Sequence, residues 1–249
     1  MNGPVAADGR PSVAAPQLER SAEKAQRLRV RFARGAEAAE IGHLDLTRAW
    51  ECAFEAAGIH LSYAGANRRQ PRLTLAAGLP QGVTSDGELL DAVLAVPVEP
   101  RTVPERLAPH MPPGLAPLDA WEVGMGQPSV PTVVRYADYE VDVAAPEHDV
   151  RRAIESFLAA ESIPWRDTRG EKVREYDIRA LVHGISAAAC DGATRLSMRL
   201  AAGTGGVGRP DQVMKALGLP EPLRVHRVRL VLAEVSPARD AWRRRGRYL

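Results

Sequence analysis

Arg27-Leu28-Arg29-Val30-Arg31-Phe32 alternates polar and apolar residues without a break. That is the period of a strand that buries one face and leaves the other to water. Beyond the loop around Gly35, the residues Leu44, Leu46, Trp50, Ala53, Phe54 and Ala57 recur at close to helical spacing, and Gly58 is a suitable stop. Residues 59–63 and 72–76 read as strands on either side of a polar loop, and residues 87–96 as a further strand. A short helix over 103–110, closed by Met111-Pro112-Pro113-Gly114, leads to a strand over 115–123.

The second half repeats this order. Residues 139–144 alternate as a strand, 147–160 form a helix, and 176–186 and 194–200 form two strands. A glycine-rich turn then leads to a helix over 211–217 and a closing strand over 224–235. Strand, helix, strand, strand, helix, strand in each half predicts an α+β protein of two ferredoxin-like (βαββαβ) domains in tandem. The expected division is a disordered leader over 1–25, an N-terminal domain over 26–126 and a linker over 127–135, followed by a C-terminal domain over 136–236 and a basic tail over 237–249.

Composition narrows the function classes. The net charge of +2 is unevenly spread: residues 236–249 hold five arginines and one aspartate, while 27–130 hold ten basic and twelve acidic groups and 131–235 fifteen of each. A body so near neutrality is not a general polyanion binder, although a local basic face is compatible with it. No run of apolar residues is long enough for a membrane span, and the first ten residues lack the basic-then-apolar pattern of a secretion signal, so the expected location is cytoplasmic. Cys52 and Cys190 have neither metal-knuckle nor redox spacing, and no cysteine triplet exists for an iron-sulfur cluster. Neither a metal nor a cofactor is expected.

Three segments carry candidate chemistry. His43, Asp45 and Arg48 stand at the start of the first helix, where Asp45 and Arg48 are three apart and can pair, and where His43 offers a ring nitrogen as acceptor or helix cap. Arg68-Arg69-Gln70-Pro71-Arg72 sets three guanidinium groups in one loop, a match for phosphate oxygens, with Tyr63 nearby to stack a base or pack in the core. In the second half, Glu175, Asp177 and Arg179 share one face of the predicted strand, and His183 falls on that face as well. Gly203-Thr204-Gly205-Gly206-Val207-Gly208-Arg209-Pro210 precedes a helix like a phosphate cradle. It lacks the Gly-Lys-Ser or Gly-Lys-Thr of a P-loop, and a flexible turn with Pro210 in the first helical turn accounts for it equally.

The chain resembles the radical-SAM-linked proteins, a bacterial family found beside or fused to radical SAM enzymes. The resemblance rests on His43-Leu44-Asp45-Leu46, on the loop from Gly65 through Asn67 to Pro71-Arg72, and on Gly78-Leu79-Pro80-Gln81-Gly82-Val83. Arg174-Glu175-Tyr176-Asp177-Ile178-Arg179 and Arg209-Pro210-Asp211 complete it. In that loop the family carries an aromatic and then Asn-Pro-His-Pro-Lys. Here Ala66-Asn67-Arg68-Arg69-Gln70-Pro71-Arg72 has one residue more and no histidine.

The resemblance implies a radical SAM enzyme, encoded nearby, as partner. The expected role is a non-catalytic protein that engages substrate for that enzyme, with RNA as the expected substrate. Binding is assigned to His43, Asp45, Arg48, Asn67, Arg68, Arg69, Arg72, Arg179 and Arg209, the first helix forming one wall of a groove and the Arg68–Arg72 loop the other. Two alternatives stay open: a metal-independent RNA-processing nuclease using His43 as acid or base, and a structural adaptor that contacts protein only.

Overall fold

The computed structural model describes residues 23–65, 70–169 and 172–233. In the first half lie β1 (Gln26–Arg34), α1 (His43–Ala56), β2 (Tyr63–Ala64), β3 (Gln70–Pro71), β4 (Leu73–Leu75), β5 (Thr84–Leu94), α2 (Val103–Leu107) and β6 (Leu115–Glu122). Then follow α3 (Val130–Val133), β7 (Val134–Val143), α4 (Glu147–Ala159), β8 (Pro164–Arg169), β9 (Lys172–Asp177) and β10 (Val182–Cys190). The last elements are β11 (Ala193–Gly203), β12 (Gly206–Val207), α5 (Pro210–Ala216) and β13 (Arg224–Leu232).

The fold is mixed α+β, with few helices on a nine-stranded mixed sheet ordered β10-β11-β7-β13-β5-β1-β6, to which β4 adds on β5 and β12 on β11. Neighbouring strands run antiparallel except where β13 joins β5 in parallel, His226 opposite Thr84 and Arg227 opposite Ser85. One sheet therefore runs through both halves of the chain. At the junction, a Cβ on Gly87 would stand 2.8 Å from Val228 O and 2.9 Å from Arg229 Cα, so only glycine lets β5 pass so close to β13.

Two apolar clusters hold the helices to the sheet. Leu28, Val30 and Phe32, the apolar set of the opening alternation, pack with Trp50 and Phe54 of α1 and with Leu90 and Leu94 of β5. The Phe32 and Trp50 rings meet edge to face at 5.0 Å. Beyond α1, Gly58 takes φ of +64°, and the amides of Gly58 and Ile59 return to Glu55 O and Phe54 O at 3.0 and 2.9 Å, the Schellman closure. Leu44, read from its spacing as part of the buried stripe, is instead 77% exposed in the first turn of the helix. In the second cluster Val141, Val143, Ile154, Phe157, Leu196, Val213 and Met214 pack together, and Ala76 and Leu89 from the first half complete it.

The predicted strand over 176–186 divides. β9 pairs with β8 as a separate hairpin, a 3-10 turn spans Arg179–Leu181, and β10 then enters the large sheet. Asp177 makes the break, because its Oδ1 accepts the amides of Ile163 and Arg179, both at 2.9 Å. His183 accordingly does not share a strand with Glu175 and Asp177. Its ring instead sits 4.5 Å from that of Tyr136.

Candidate functional site

The polar side of β1 is only partly open to water: Arg27 and Arg29 are buried, while Arg31 is exposed. Arg29 forms a two-point ion pair with Asp91 (Nε to Oδ1 2.7 Å, Nη2 to Oδ2 3.1 Å), and Asp91 Oδ2 also accepts the amide of Val130 at 2.8 Å. Arg27 reaches the other way, its Nη2 donating to Gly124 O at 2.7 Å and Gln127 O at 2.8 Å. The segment joining the halves thus lies across this part of the sheet, and Arg27 is only 9% exposed. Its guanidinium is held below the ordinary arginine value, first by burial and also by Arg29, with Asp91 opposing. The buried Nε of Arg27 has no hydrogen-bond partner among the described residues.

Arg72 faces the same space. Its backbone is fixed on both sides, the amide donating to Ser62 O at 2.8 Å and the carbonyl accepting from Val93 N at 3.0 Å. Strand alternation then turns Leu73 and Leu75 toward the core beneath α1, and Arg72 and Thr74 toward the opposite face. Lys24, Arg27, Arg72, Thr74, Asp91 and Val93 are among the residues lining a cavity of about 410 Å³. The Nε of Arg72, like that of Arg27, is buried with no partner among the described residues. Three basic side chains around one cavity, with the nearby carboxylate already engaged by Arg29, describe a place for an anion.

The other expected site residues are dispersed. His43, Asp45 and Arg48 are all exposed on α1, and Asp45 and Arg48 stand 4.0 Å apart. His43 does not cap the helix, since Gly42 is the N-cap. It lines a small recess with Arg34, Leu75, Leu79 and Glu88, on the face of the sheet away from Arg72. Arg72 therefore does not face the start of α1. Asn67, Arg68 and Arg69 lie outside the described residues. Tyr63 is buried and donates to Glu51 Oε1 at 3.0 Å, so it is a core residue rather than a base-stacking one. Arg179 donates to Val182 O at 3.2 Å with its guanidinium 6.0 Å from the Phe157 ring, and Arg209 forms a two-point pair with Asp211 at 3.1 and 3.0 Å.

A second cavity, of about 590 Å³, opens between the halves, with residues 76–80 on one wall and 202–204 and 207–210 on another. Two buried arginines hold the first wall. Arg227 pairs with Glu88 through both carboxylate oxygens and donates to Gly78 O at 3.1 Å and Ala77 O at 3.4 Å, while Arg34 reaches Leu79 O at 3.5 Å. In the other wall, glycine is a packing requirement. A Cβ on Gly203 would meet Val134 O at 2.8 Å, one on Gly206 would meet Leu181 Cδ2 at 2.7 Å, and one on Gly208 would meet Leu200 Cβ at 3.0 Å. Close packing explains these glycines without a phosphate cradle.

Lys24 and Arg27 are the site residues that the sequence reading missed. Arg27 sits on the polar side of an alternating strand, where nothing local distinguishes a solvated arginine from one covered by a distant segment. No group of three or more His, Cys, Asp or Glu among the described residues is placed to hold a metal.

With this geometry in view, comparison with known proteins adds a family. Residues 27–210 match the family described as an uncharacterized protein conserved in bacteria (DUF2344). The chain belongs to that family. The match takes in Arg27, Arg72, the segment over 78–83, and Arg209. No curated protein matches the chain. Among solved structures, a Cbf5-Nop10-Gar1 complex aligns at 12% identity and a TM-score of 0.43, over 80% of this chain and 48% of that one. The archaeal box H/ACA sRNP Nop10-Cbf5 complex aligns at 11% identity and a TM-score of 0.39, over 79% and 46%. The chain thus spans about half the length of these structures.

Proposed function

We propose that this protein is a non-catalytic, RNA-engaging partner of a radical SAM enzyme, acting in the cytoplasm. The enzyme partner rests on the resemblance of residues 43–46, 65–72, 78–83, 174–179 and 209–211 to the radical-SAM-linked proteins. The substrate class rests on one observation: Arg27 and Arg72 line a single cavity together with Lys24. Arg68 and Arg69 precede Arg72 by only a few residues in the sequence and are further candidates for contact with an RNA backbone.

The architecture proposed to present this surface is a pair of ferredoxin-like units, 26–126 and 136–236, joined by 127–135. The strand orders β4-β5-β1-β6 and β10-β11-β7-β13 support it. Leaving out the separate hairpins β2-β3 and β8-β9 and the short β12, each runs second, third, first, fourth in its half, the order of a split βαβ sheet.

The test replaces Arg68, Arg69 and Arg72 together by alanine and measures retention of single-stranded RNA against salt. Loss of three phosphate contacts lowers the slope of log K against log salt by about two. Unchanged affinity and slope would remove the loop from the reading. Co-purification with a radical SAM enzyme in the absence of RNA would favour the adaptor role instead.

A further inference from the structure

We infer that the cavity between Arg27 and Arg72 receives a terminal phosphomonoester of an RNA strand, an inference that rests on the RNA reading above. The cavity is backed by strands, with Thr74, Asp91 and Val93 among its lining. Ala64, Gln70 and Pro71 of β2 and β3 stand at one side, and Met125 and Ser129 of the joining segment at another. A volume of about 410 Å³ is that of a small-ligand site.

Charge points the same way. Lys24, Arg27 and Arg72 line the cavity, and Asp91, the one acidic residue of its lining among the described residues, has both oxygens engaged by Arg29 and the second also by the amide of Val130. A phosphodiester brings a single negative charge, while a phosphomonoester brings up to two, with three oxygens to accept hydrogen bonds. Its oxygens pair with the guanidinium groups of Arg27 and Arg72, which line the cavity. Gly124 O and Gln127 O hold Arg27 in place there through its Nη2.

The experiment uses the full chain and one RNA sequence in three forms: with a 5′-phosphate, with a 3′-phosphate and with both ends dephosphorylated. Affinity is read by fluorescence anisotropy at fixed salt. One phosphorylated form is expected to bind about tenfold or more tighter than the dephosphorylated strand, the gain of new charge-assisted hydrogen bonds. In Arg27→Gln and in Arg72→Gln that ratio falls toward one. Should Arg27→Gln fail to fold by circular dichroism, Arg72→Gln decides alone, because no core contact depends on its guanidinium.

Equal binding of all three forms by the wild-type protein overturns the inference and leaves the RNA reading standing. A preference that survives in the variants also overturns it, since the end is then recognised elsewhere. Binding of none of the forms overturns the RNA reading and this inference together.

Discussion

Arg227 and Glu88 are the buried ion pair on which the turn over 77–79 depends, with side chains 2% and 5% exposed. Removing Glu88 leaves the Arg227 charge buried without its carboxylate partner, so Glu88→Ala is expected to cost about 3–5 kcal/mol in urea unfolding. The contrast is Asp45 with Arg48, 4.0 Å apart and largely exposed, where Asp45→Ala is expected to change stability by less than about 0.5 kcal/mol. The glycines divide in the same way. Gly206, at φ +154° and with Leu181 Cδ2 2.7 Å from any added Cβ, is expected to lose about 1–3 kcal/mol as alanine. Gly205→Ala, with open space around it, is expected to be near neutral in the same unfolding measurement. If both variants are neutral, the packing account of this loop fails.

Across β11, β7 and β13 the outward side chains form ladders. Asp138 takes Arg199 from one side (Nε to Oδ1 2.7 Å) and Arg229 from the other (Nε to Oδ2 2.8 Å). Asp142 takes Arg195 at 2.6 Å, with Arg224 at 3.7 Å. The hydrogen bond from Arg199 holds Asp138 below the ordinary carboxylate value against the opposing effect of burial, and that from Arg195 does the same for Asp142. A carboxylate depressed in the folded state binds its proton more readily when unfolded. Its contribution is therefore complete above about pH 4 and is lost as pH falls through the depressed folded values. Acid titration of stability is expected to fall less steeply below about pH 4 in Asp138→Asn than in the wild-type protein. An identical slope would show that the ladder is not linked to protonation.

The continuous sheet makes the two halves one cooperative object, because β5 pairs with β13 and Ala76 and Leu89 complete the second apolar cluster. Unfolding probed in the first half and in the second is expected to coincide. Gly87→Ala, which presses on Val228 O and Arg229 Cα, is expected to lower the midpoint and to separate the two transitions. Coincident, unshifted transitions in that variant would mean that the junction does not couple the halves. Much of the fold was legible before the structure. The alternation of 27–32 placed β1, and Gly58 placed the end of α1, since both signals are carried by neighbours in the chain. The site was legible only in part: Arg72 was singled out, while Arg27 gave no local sign. Arg72 does not face His43, because strand alternation sends it to the side away from α1. Sequence by itself determined the α+β class, the helix stop at Gly58 and the presence of an arginine-rich loop, because periodicity and turn chemistry act over a few residues. Only tertiary structure decided that the halves share one sheet, that Arg27 is buried beneath residues 124–127, and that Arg27 and Arg72 line one cavity. Those contacts join residues far apart in the chain, and no local pattern specifies which segment will cover which face.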